Sequence, residues 1–309
     1  MIDSHSEQTL TTEIAVSEVL SQIAVCKPYF AFDSMQETED GALCAPITPE
    51  QPMGVERGVM AAAEIGRHLA ILGSCAAARA NQVSSQHYYL AWKADLRQAE
   101  HVGQLAHRDA QLLAQDLIGC ARAEFSDKRT ARAETQLIHR LTGKKLYDLS
   151  VEYKVLTPRL FEKMYSDRRI TTPAVEFNPY AADLLGLGDV FVLDDILSAN
   201  LEALDPISCA GHFPNYPALP VAILAHILIS AAGKLFGKIV GNDDAPYTVA
   251  TTLVGADHLA FPDDKLHVII QHKNSDDKGP YRLFRGRALS EGKENRPFGD
   301  LQITLREAE

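Results

Sequence analysis

The chain has 309 residues and a formal net charge of −11, with 46% hydrophobic and 23% charged residues. This composition is typical of a globular protein, and the length is sufficient for two domains with buried cores. The acidic balance argues against nucleic acid as the main partner, because phosphate binding usually requires a basic surface.

The cysteines and the N-terminal segment predict a cytoplasmic protein. The five cysteines are odd in number and contain no C-x-x-C pair. This disfavours a disulfide framework or a zinc site and favours a reducing compartment. No basic segment followed by an apolar run opens the chain, and histidine or charged residues interrupt the longest apolar stretches. We therefore expect no signal peptide, no membrane span, no metal and no cofactor.

The first half of the chain predicts strands on both sides of one long helix. Residues 30–47 predict two strands about the turn EDG, and residues 87–97 alternate like a strand. Between them, residues 55–80 are rich in alanine and leucine and contain no proline, which predicts a buried helix. Residues 111–141 then contain two strand-like runs around the turn SDKR.

The second half repeats this order. A strand-like run at 190–201 precedes an apolar helix that is predicted from about Pro220 to Phe236. Further strands follow, separated by polar breaks such as the turn cluster KNSDDKGP. These strands are predicted at 246–261, 265–273, 281–289 and 298–306.

The repeated order predicts an internal duplication with an α+β fold. We expect an N-terminal domain at 1–165, a linker at 166–189 and a C-terminal domain at 190–309. A helix that is apolar nearly all round must be covered on every side. An antiparallel sheet curled around the helix would cover it in this way.

A histidine and three prolines stand directly before the second apolar helix, in the segment AGHFPNYPALPVAILAH. Prolines stiffen this loop, and Pro220 can occupy the first turn of a helix without losing a hydrogen bond. The segment resembles the active-site loop of the β-hydroxyacyl-acyl carrier protein dehydratases, a family of the hotdog-fold superfamily. That family carries H-F-P and prolines at these spacings, and the strand order from 190 to 309 is also similar to it.

The resemblance implies a double hotdog, in which two long central helices are each wrapped by a curved antiparallel sheet. In the family, two hotdog units share each active site. One unit supplies a histidine, and the other supplies a carboxylate on its central helix. For this chain the resemblance implies His212 as the catalytic base, with Gly211, Phe213, Pro220 and Val221 in contact with the substrate.

The chain departs from the family pattern at three places. The carboxylate position of the second helix is His226, the glycine usual after the last proline is Val221, and the first half has no H-F-P. An offset of 162 residues (212 less 50) places Glu50 on the histidine position and Glu64 on the carboxylate position. We therefore expect His212 and Glu64 to form one composite catalytic site, and Glu50 and His226 to form a degenerate one.

Dehydration of a β-hydroxyacyl thioester requires a base, an acid and a group that polarises the carbonyl. A histidine titrates near neutral pH and suits removal of the C2 proton. A carboxylic acid in an apolar tunnel, here Glu64, can hold the proton for the departing hydroxyl. Backbone N–H groups at the helix start, such as that of Val221, can polarise the carbonyl.

Other interpretations stay open. Glu64 could form an ion pair with Arg67 or His68, both within one helical turn, and His212 could be structural. A thioesterase or acyltransferase of the same fold would also use a carboxylate on the central helix. A non-catalytic acyl-binding scaffold would explain why position 226 is not an acid.

The sequence therefore predicts a dehydratase of fatty-acid-type or polyketide-type biosynthesis, acting on thioesters of acyl carrier protein or CoA. The basic run at 128–145 could dock an acidic carrier protein, or it could be an ordinary solvated surface. Since one chain supplies both halves of a pseudo-dimer, both a monomer and a homodimer through sheet edges fit the sequence.

Overall fold

The structure is a computed structural model that describes residues 10–83, 85–170, 175, 177–181, 186–201, 205–273, 279–290 and 297–308. Parts of the expected linker at 166–189, and of the turn cluster at 273–280, lie outside these ranges. The division of the chain into two domains therefore stays a prediction.

Thirteen strands form one sheet in the described part of the chain. They are β1 (Leu10–Ile14), β2 (Met35–Thr38), β3 (Leu43–Ile47), β4 (Tyr88–Gln98), β5 (Leu117–Asp127), β6 (Thr130–His139), β7 (Lys144–Leu156), β8 (Leu187–Leu193), β9 (Ile196–Leu201), β10 (Tyr247–Ala256), β11 (Leu266–Lys273), β12 (Tyr281–Ser290) and β13 (Pro297–Glu307). In space they follow the order β1-β2-β3-β5-β6-β7-β4-β10-β13-β12-β11-β9-β8, and the paired strands are antiparallel. The pairing of β4 with β10 joins the strands of the first half to those of the second.

Two of the five described α-helices are long. α2 (Ala62–Asn81) and α5 (Val221–Val240) have 20 residues each, whereas α1 (Val16–Leu20), α3 (His107–Leu113) and α4 (Pro158–Met164) have five or seven. α2 packs on β3 to β7, α5 packs on β8 to β13, and the two long helices contact each other. The α+β class is therefore confirmed. The expectation of two long central helices is not, since the described chain has five α-helices, of which α2 and α5 are the long ones.

The helix bounds revise the internal alignment of the two halves. α2 begins seven residues later than the predicted start at 55, and the Glu56 carboxylate accepts a hydrogen bond from the Ala62 N–H (2.7 Å) at that point. The first residues of α2 and α5 are therefore 159 positions apart (221 less 62), rather than 162. At this offset, the residue of α2 that corresponds to His226 is Arg67 and not Glu64.

The prediction from the cysteines is wrong in one respect. Cys44 on β3 and Cys120 on β5 are direct cross-strand partners and form a disulfide bond, with their Cα atoms 4.1 Å apart. These cysteines are 76 positions apart in the sequence, so only the strand register brings them together. Disulfides are typical of oxidising compartments, and the cytoplasmic location stays a prediction.

α5 is long and apolar enough to cross a membrane by length and composition alone, with a mean hydropathy of 1.6 over its most apolar window. In the structure, 67% of that window is buried inside the protein. The core helix of a globular protein passes the same test, so the test is weak evidence for a membrane span.

Candidate active site

An apolar cavity of about 90 Å³ is lined by both long helices and by the central strands β4, β7 and β10. Its polar side chains are one imidazole and five hydroxyl groups, namely those of His212, Tyr29, Ser74, Tyr89, Tyr153 and Thr252. Among the described residues that line it, none is an aspartate or a glutamate. The cavity can therefore hold an apolar chain beside a histidine.

The H-F-P loop is held against the N-terminal half by backbone contacts. The N–H of Cys26 donates to the carbonyl of Gly211 (2.8 Å). Gly211 has φ +81°, and a Cβ at this position would collide with the Cys26 carbonyl, so glycine is required here. The same N-terminal segment brings the ring of Tyr29 to 4.9 Å from that of His212.

The imidazole of His212 is oriented by the loop that carries it. Its Nδ1 lies 2.8 Å from the carbonyl oxygen of Ala218, and because a carbonyl only accepts, Nδ1 carries the proton and Nε2 the lone pair. Burial lowers the pKa of His212 to about 4, and the bond to Ala218 opposes this only in part. The ring of Phe213 stacks on the imidazole at 3.9 Å between centroids. His212 is therefore a neutral, oriented base at pH 7.

The first turn of α5 also lies at this cavity. Pro220 is the residue that precedes the helix, and Val221 and Ala222 both line the cavity. N–H groups in the first turn of a helix have no intrahelical acceptor, and the helix dipole places partial positive charge there. These two amides can stabilise negative charge on a carbonyl oxygen of a bound molecule.

Glu64 is buried at another place. One of its carboxylate oxygens accepts hydrogen bonds from the backbone N–H groups of Glu50 (2.5 Å) and Gln51 (3.2 Å). Burial raises the pKa of Glu64 to about 8, while the bond from Gln51 and the charge of His226 oppose the rise. Glu64 does not line the cavity that contains His212. The composite site of these two residues stays a prediction that these contacts do not support.

Arg67 connects the two regions. Its guanidinium forms an ion pair with Glu50 and lies 6.0 Å from the ring centroid of Tyr29, which in turn contacts His212. In this series of contacts, Tyr29, Arg67 and Glu50 stand between His212 and Glu64. The charged α2 side chain that contacts Tyr29 is thus a cation rather than a carboxylate.

Glu50, Glu64 and His68 place three potential metal-ligand atoms within 4.8 Å of one another. The guanidinium of Arg67 also lies in this cluster, paired with Glu50 and 3.3 Å from Nε2 of His68. Burial and the charge of Arg67 lower the pKa of His68 well below its ordinary value. The cluster already contains a cation, which disfavours a second one at the same point.

Three of the predicted substrate-contacting or catalytic residues, His212, Phe213 and Val221, line the cavity. Gly211 and Pro220 do not line it and instead form the backbone that positions them. Sequence reasoning missed Tyr29 at the cavity and the role of Arg67. The one available signal was the pair Arg67-His68 in a helix otherwise rich in alanine and leucine.

No protein-family model and no curated protein sequence matches the chain. Solved structures do resemble it. The tesB protein of Mycobacterium avium subspecies paratuberculosis is 8% identical, with a TM-score of 0.54 over 89% of this chain and 96% of that chain. The 12:0-ACP thioesterase of Umbellularia californica is 8% identical, with a TM-score of 0.50 over 92% of this chain and 100% of that chain.

At such low identity, the likeness establishes the fold alone. The chain has the hotdog fold, as the H-F-P segment predicted. The more specific resemblance to the dehydratase family is not supported by these structures, which include a thioesterase instead. The dehydratase assignment therefore stays a prediction.

Proposed function

We propose that this protein hydrolyses acyl thioesters, with the acyl chain in the apolar cavity and His212 as the general base. The observation that carries the proposal is the oriented, neutral imidazole of His212, which lines the cavity together with the first turn of α5. The fold likeness to an acyl carrier protein thioesterase supports the proposal.

The proposed reaction needs one water and one base. Nε2 of His212 accepts a proton from water as the water oxygen attacks the carbonyl carbon of the thioester. The N–H groups of Val221 and Ala222 stabilise the negative charge on the carbonyl oxygen. The carbon–sulfur bond then breaks, and the imidazolium returns the proton to the departing thiolate. The products are a free acid and the thiol of the carrier.

Dehydration is the second candidate, and the H-F-P loop around His212 favours it. It additionally requires an acid that protonates the departing hydroxyl group. The described lining of the cavity offers hydroxyl groups but no carboxylic acid. Burial raises the pKa of Tyr29, the hydroxyl-bearing residue beside His212, far above neutral pH. For this reason hydrolysis is the better supported of the two reactions.

The test is mass spectrometry of the purified protein with acyl and β-hydroxyacyl thioesters, each on CoA and on acyl carrier protein. Hydrolysis predicts free acid and free thiol. His212→Ala should lower the rate by about 10²- to 10⁴-fold, the usual contribution of a general base. Glu64→Gln is the matched control: because Glu64 does not line the cavity, hydrolysis predicts a rate within a few-fold of wild type.

The other outcomes would assign a different function. Loss of one water from the β-hydroxyacyl substrate alone, with the thioester intact, would establish the dehydratase. Transfer of the acyl group to another thiol would indicate an acyltransferase. Binding without any product, by wild type and His212→Ala alike, would indicate a non-catalytic acyl-binding scaffold. Comparison of the two carriers identifies the partner.

A further inference from the structure

The hydroxyl group of one threonine at the apolar cavity is buried without a hydrogen-bond partner in the described part of the chain. Thr252 on β10 is 4% exposed, and its Oγ1 is fully buried without a donor or acceptor within reach in the described protein. An unpaired buried hydroxyl is destabilising, whereas valine has nearly the same shape without this cost. The chain nevertheless has threonine at this position.

The strand register aims this side chain into the cavity. Thr252 and Val254 are buried and line the cavity. Thr251, which precedes Thr252, and Leu253, which lies between the two buried residues, are exposed. This alternation is that of a strand with one face on the core. The hydroxyl of Thr252 is thus presented to the cavity together with apolar neighbours.

Three other hydroxyl groups of the residues that line the cavity already have partners. Ser74 Oγ donates to the carbonyl of Ile71 (2.7 Å) and Tyr153 Oη to that of Ala70 (2.6 Å), while Tyr89 Oη accepts from the Asn81 amide (3.2 Å). The remaining hydroxyl-bearing residue, Tyr29, lies beside His212. Thr252 is therefore the group that a bound chain would have to satisfy.

Strand β4 extends from the neighbourhood of His212 to the strand partner of Thr252. At the His212 end, the ring of Tyr88 at the start of β4 packs on that of Phe213, at 5.3 Å between centroids. Leu96, eight residues further along β4, is the direct partner of Thr252. Eight residues of strand span at most roughly 27 Å at about 3.4 Å each, and the register irregularity between Ala91 and Lys93 shortens this span. A thioester held at His212 would therefore place the inner part of the acyl chain, rather than the thioester, at the hydroxyl of Thr252.

We propose that the cavity selects acyl chains that carry a hydroxyl or keto oxygen in their inner part, remote from the thioester, where Thr252 forms a hydrogen bond with it. Thr252 Oγ1 can donate to a keto oxygen and can both donate to and accept from a hydroxyl. Apolar residues such as Leu96 and Val254 hold the chain on either side of this point. The inference rests on the proposed function in one respect, that the cavity binds the acyl chain.

The test uses thioether analogues of acyl-pantetheine, which cannot be hydrolysed, with one saturated chain and a series in which a single hydroxyl is moved along it. Calorimetry with wild type should give affinity about tenfold higher for one inner hydroxyl position than for the plain chain, as expected for one buried hydrogen bond. Thr252→Val should abolish this preference, bind the plain chain at least as well, and raise the melting temperature of the free protein.

Thr248→Val is the matched control. Thr248 lies on the same strand, is 6% exposed and also has an unpartnered Oγ1, but it lines a different, polar cleft. Its replacement should leave the preference for the oxygenated chain unchanged. If the plain chain binds and no hydroxyl position improves the affinity, or if Thr252→Val keeps the preference, this inference is wrong while acyl binding stands. If no analogue binds, the proposed function fails with it.

Discussion

The protonation state of His212 sets the pH at which the proposed reaction can occur. Its pKa is lowered to about 4 by burial, so raising the pH through this value deprotonates the ring and creates the base. We expect kcat/KM for thioester hydrolysis to rise with an apparent pKa near 4, rather than near the ordinary value of about 6.5. Initial rates in buffers from about pH 3 to 8 would measure this, with circular dichroism to verify folding.

The control for this pH dependence is the substrate itself, assayed for spontaneous hydrolysis at each pH. His212→Ala should lack the acid limb, because no ring remains to titrate. An acid limb near pH 6.5 in the wild type would mean that the histidine is exposed in the working enzyme. A limb that persists in His212→Ala would assign it to another group.

Glu64 makes folding stability depend on pH. Its pKa is raised to about 8 by burial, so the folded protein holds a proton that the unfolded chain releases above its ordinary pKa near 4.5. The contribution of Glu64 to the free energy of unfolding is therefore fully present below about pH 4.5 and is lost as the pH rises through about 8. Between about pH 5 and 7, the loss should amount to about 3 kcal/mol, at about 1.36 kcal/mol per pKa unit.

Glu64→Gln should remove this dependence, since the amide does not titrate and its oxygen can still accept from the Glu50 N–H. Urea unfolding of both proteins at several pH values measures the difference. Glu56 also has a pKa raised to about 7, mainly by burial and in smaller part by the charge of Glu64. It is present in both proteins, so only this smaller part of its contribution changes in the variant. Parallel stability curves for wild type and variant would contradict the prediction.

At the residue scale, the sequence predicts the position of His212 better than that of Glu64, the acid that was expected to act with it. The H-F-P motif and its prolines are contiguous, so they identify His212 without any alignment of the two halves. The position of Glu64 depended on an offset that differs by three residues from that of the helix starts. At 3.6 residues per turn, three residues correspond to nearly one full turn, so the shift moves the chosen position by almost one turn along α2 and by about 60° around it. Thr252 gives no sequence signal, because burial without a partner is a property of the packed structure.

Two glycines of α2 differ in what surrounds them, which gives a test of how closely this helix packs. A Cβ on Gly73 would lie 2.6 Å from the Tyr153 hydroxyl and 3.0 Å from Cβ of Ala133, whereas one on Gly66 would have no neighbour within 4 Å. We expect Gly73→Ala to lower the free energy of unfolding by about 1 to 3 kcal/mol through overpacking. Gly66→Ala should raise it by up to about 1 kcal/mol through helix propensity.

Urea unfolding of the two variants and wild type measures both effects under one condition. Because the substitution and the helix are the same, the difference between the variants isolates packing against β6 and β7. Equal effects at the two positions would mean that α2 does not approach the sheet as closely as the structure places it.

At the element scale, hydrophobic pattern predicts most of the elements but not how they pair. The strands about EDG, those about SDKR and the long apolar helices all occur within or near their predicted ranges, except that α2 begins seven residues later than predicted. β7 was missed although its burial alternates along 13 residues, because polar residues such as Asp148 and Glu152 interrupt its apolar run. The disulfide between Cys44 and Cys120 depends on the register of β3 with β5, which no local pattern encodes.

At the scale of the whole molecule, the pairing of β4 with β10 merges the two halves into one sheet with two end strands, β1 and β8. This arrangement hides the central strand edges inside the chain. In the described sheet, β8 pairs on one side only, with β9. Along β8, Phe191 is 70% exposed and Leu193 is 75% exposed. An exposed apolar strand edge is a ready template for pairing with another strand.

We therefore expect the protein to self-associate through β8 in a concentration-dependent way. Asp189 and Asp194 flank the apolar residues of this strand. An antiparallel pair of β8 strands would therefore bring like charges together. Added salt should strengthen association, because it screens the repulsion between these charges. Analytical ultracentrifugation of Phe191→Lys should show association at least about tenfold weaker than wild type, because charged residues block strand edges.

Leu141→Lys is the matched control: Leu141 is 82% exposed but lies outside the strands, so its replacement should leave association unchanged. A wild type that stays monomeric at all concentrations, or equal weakening by both lysines, would mean that the apolar edge of β8 serves some other contact.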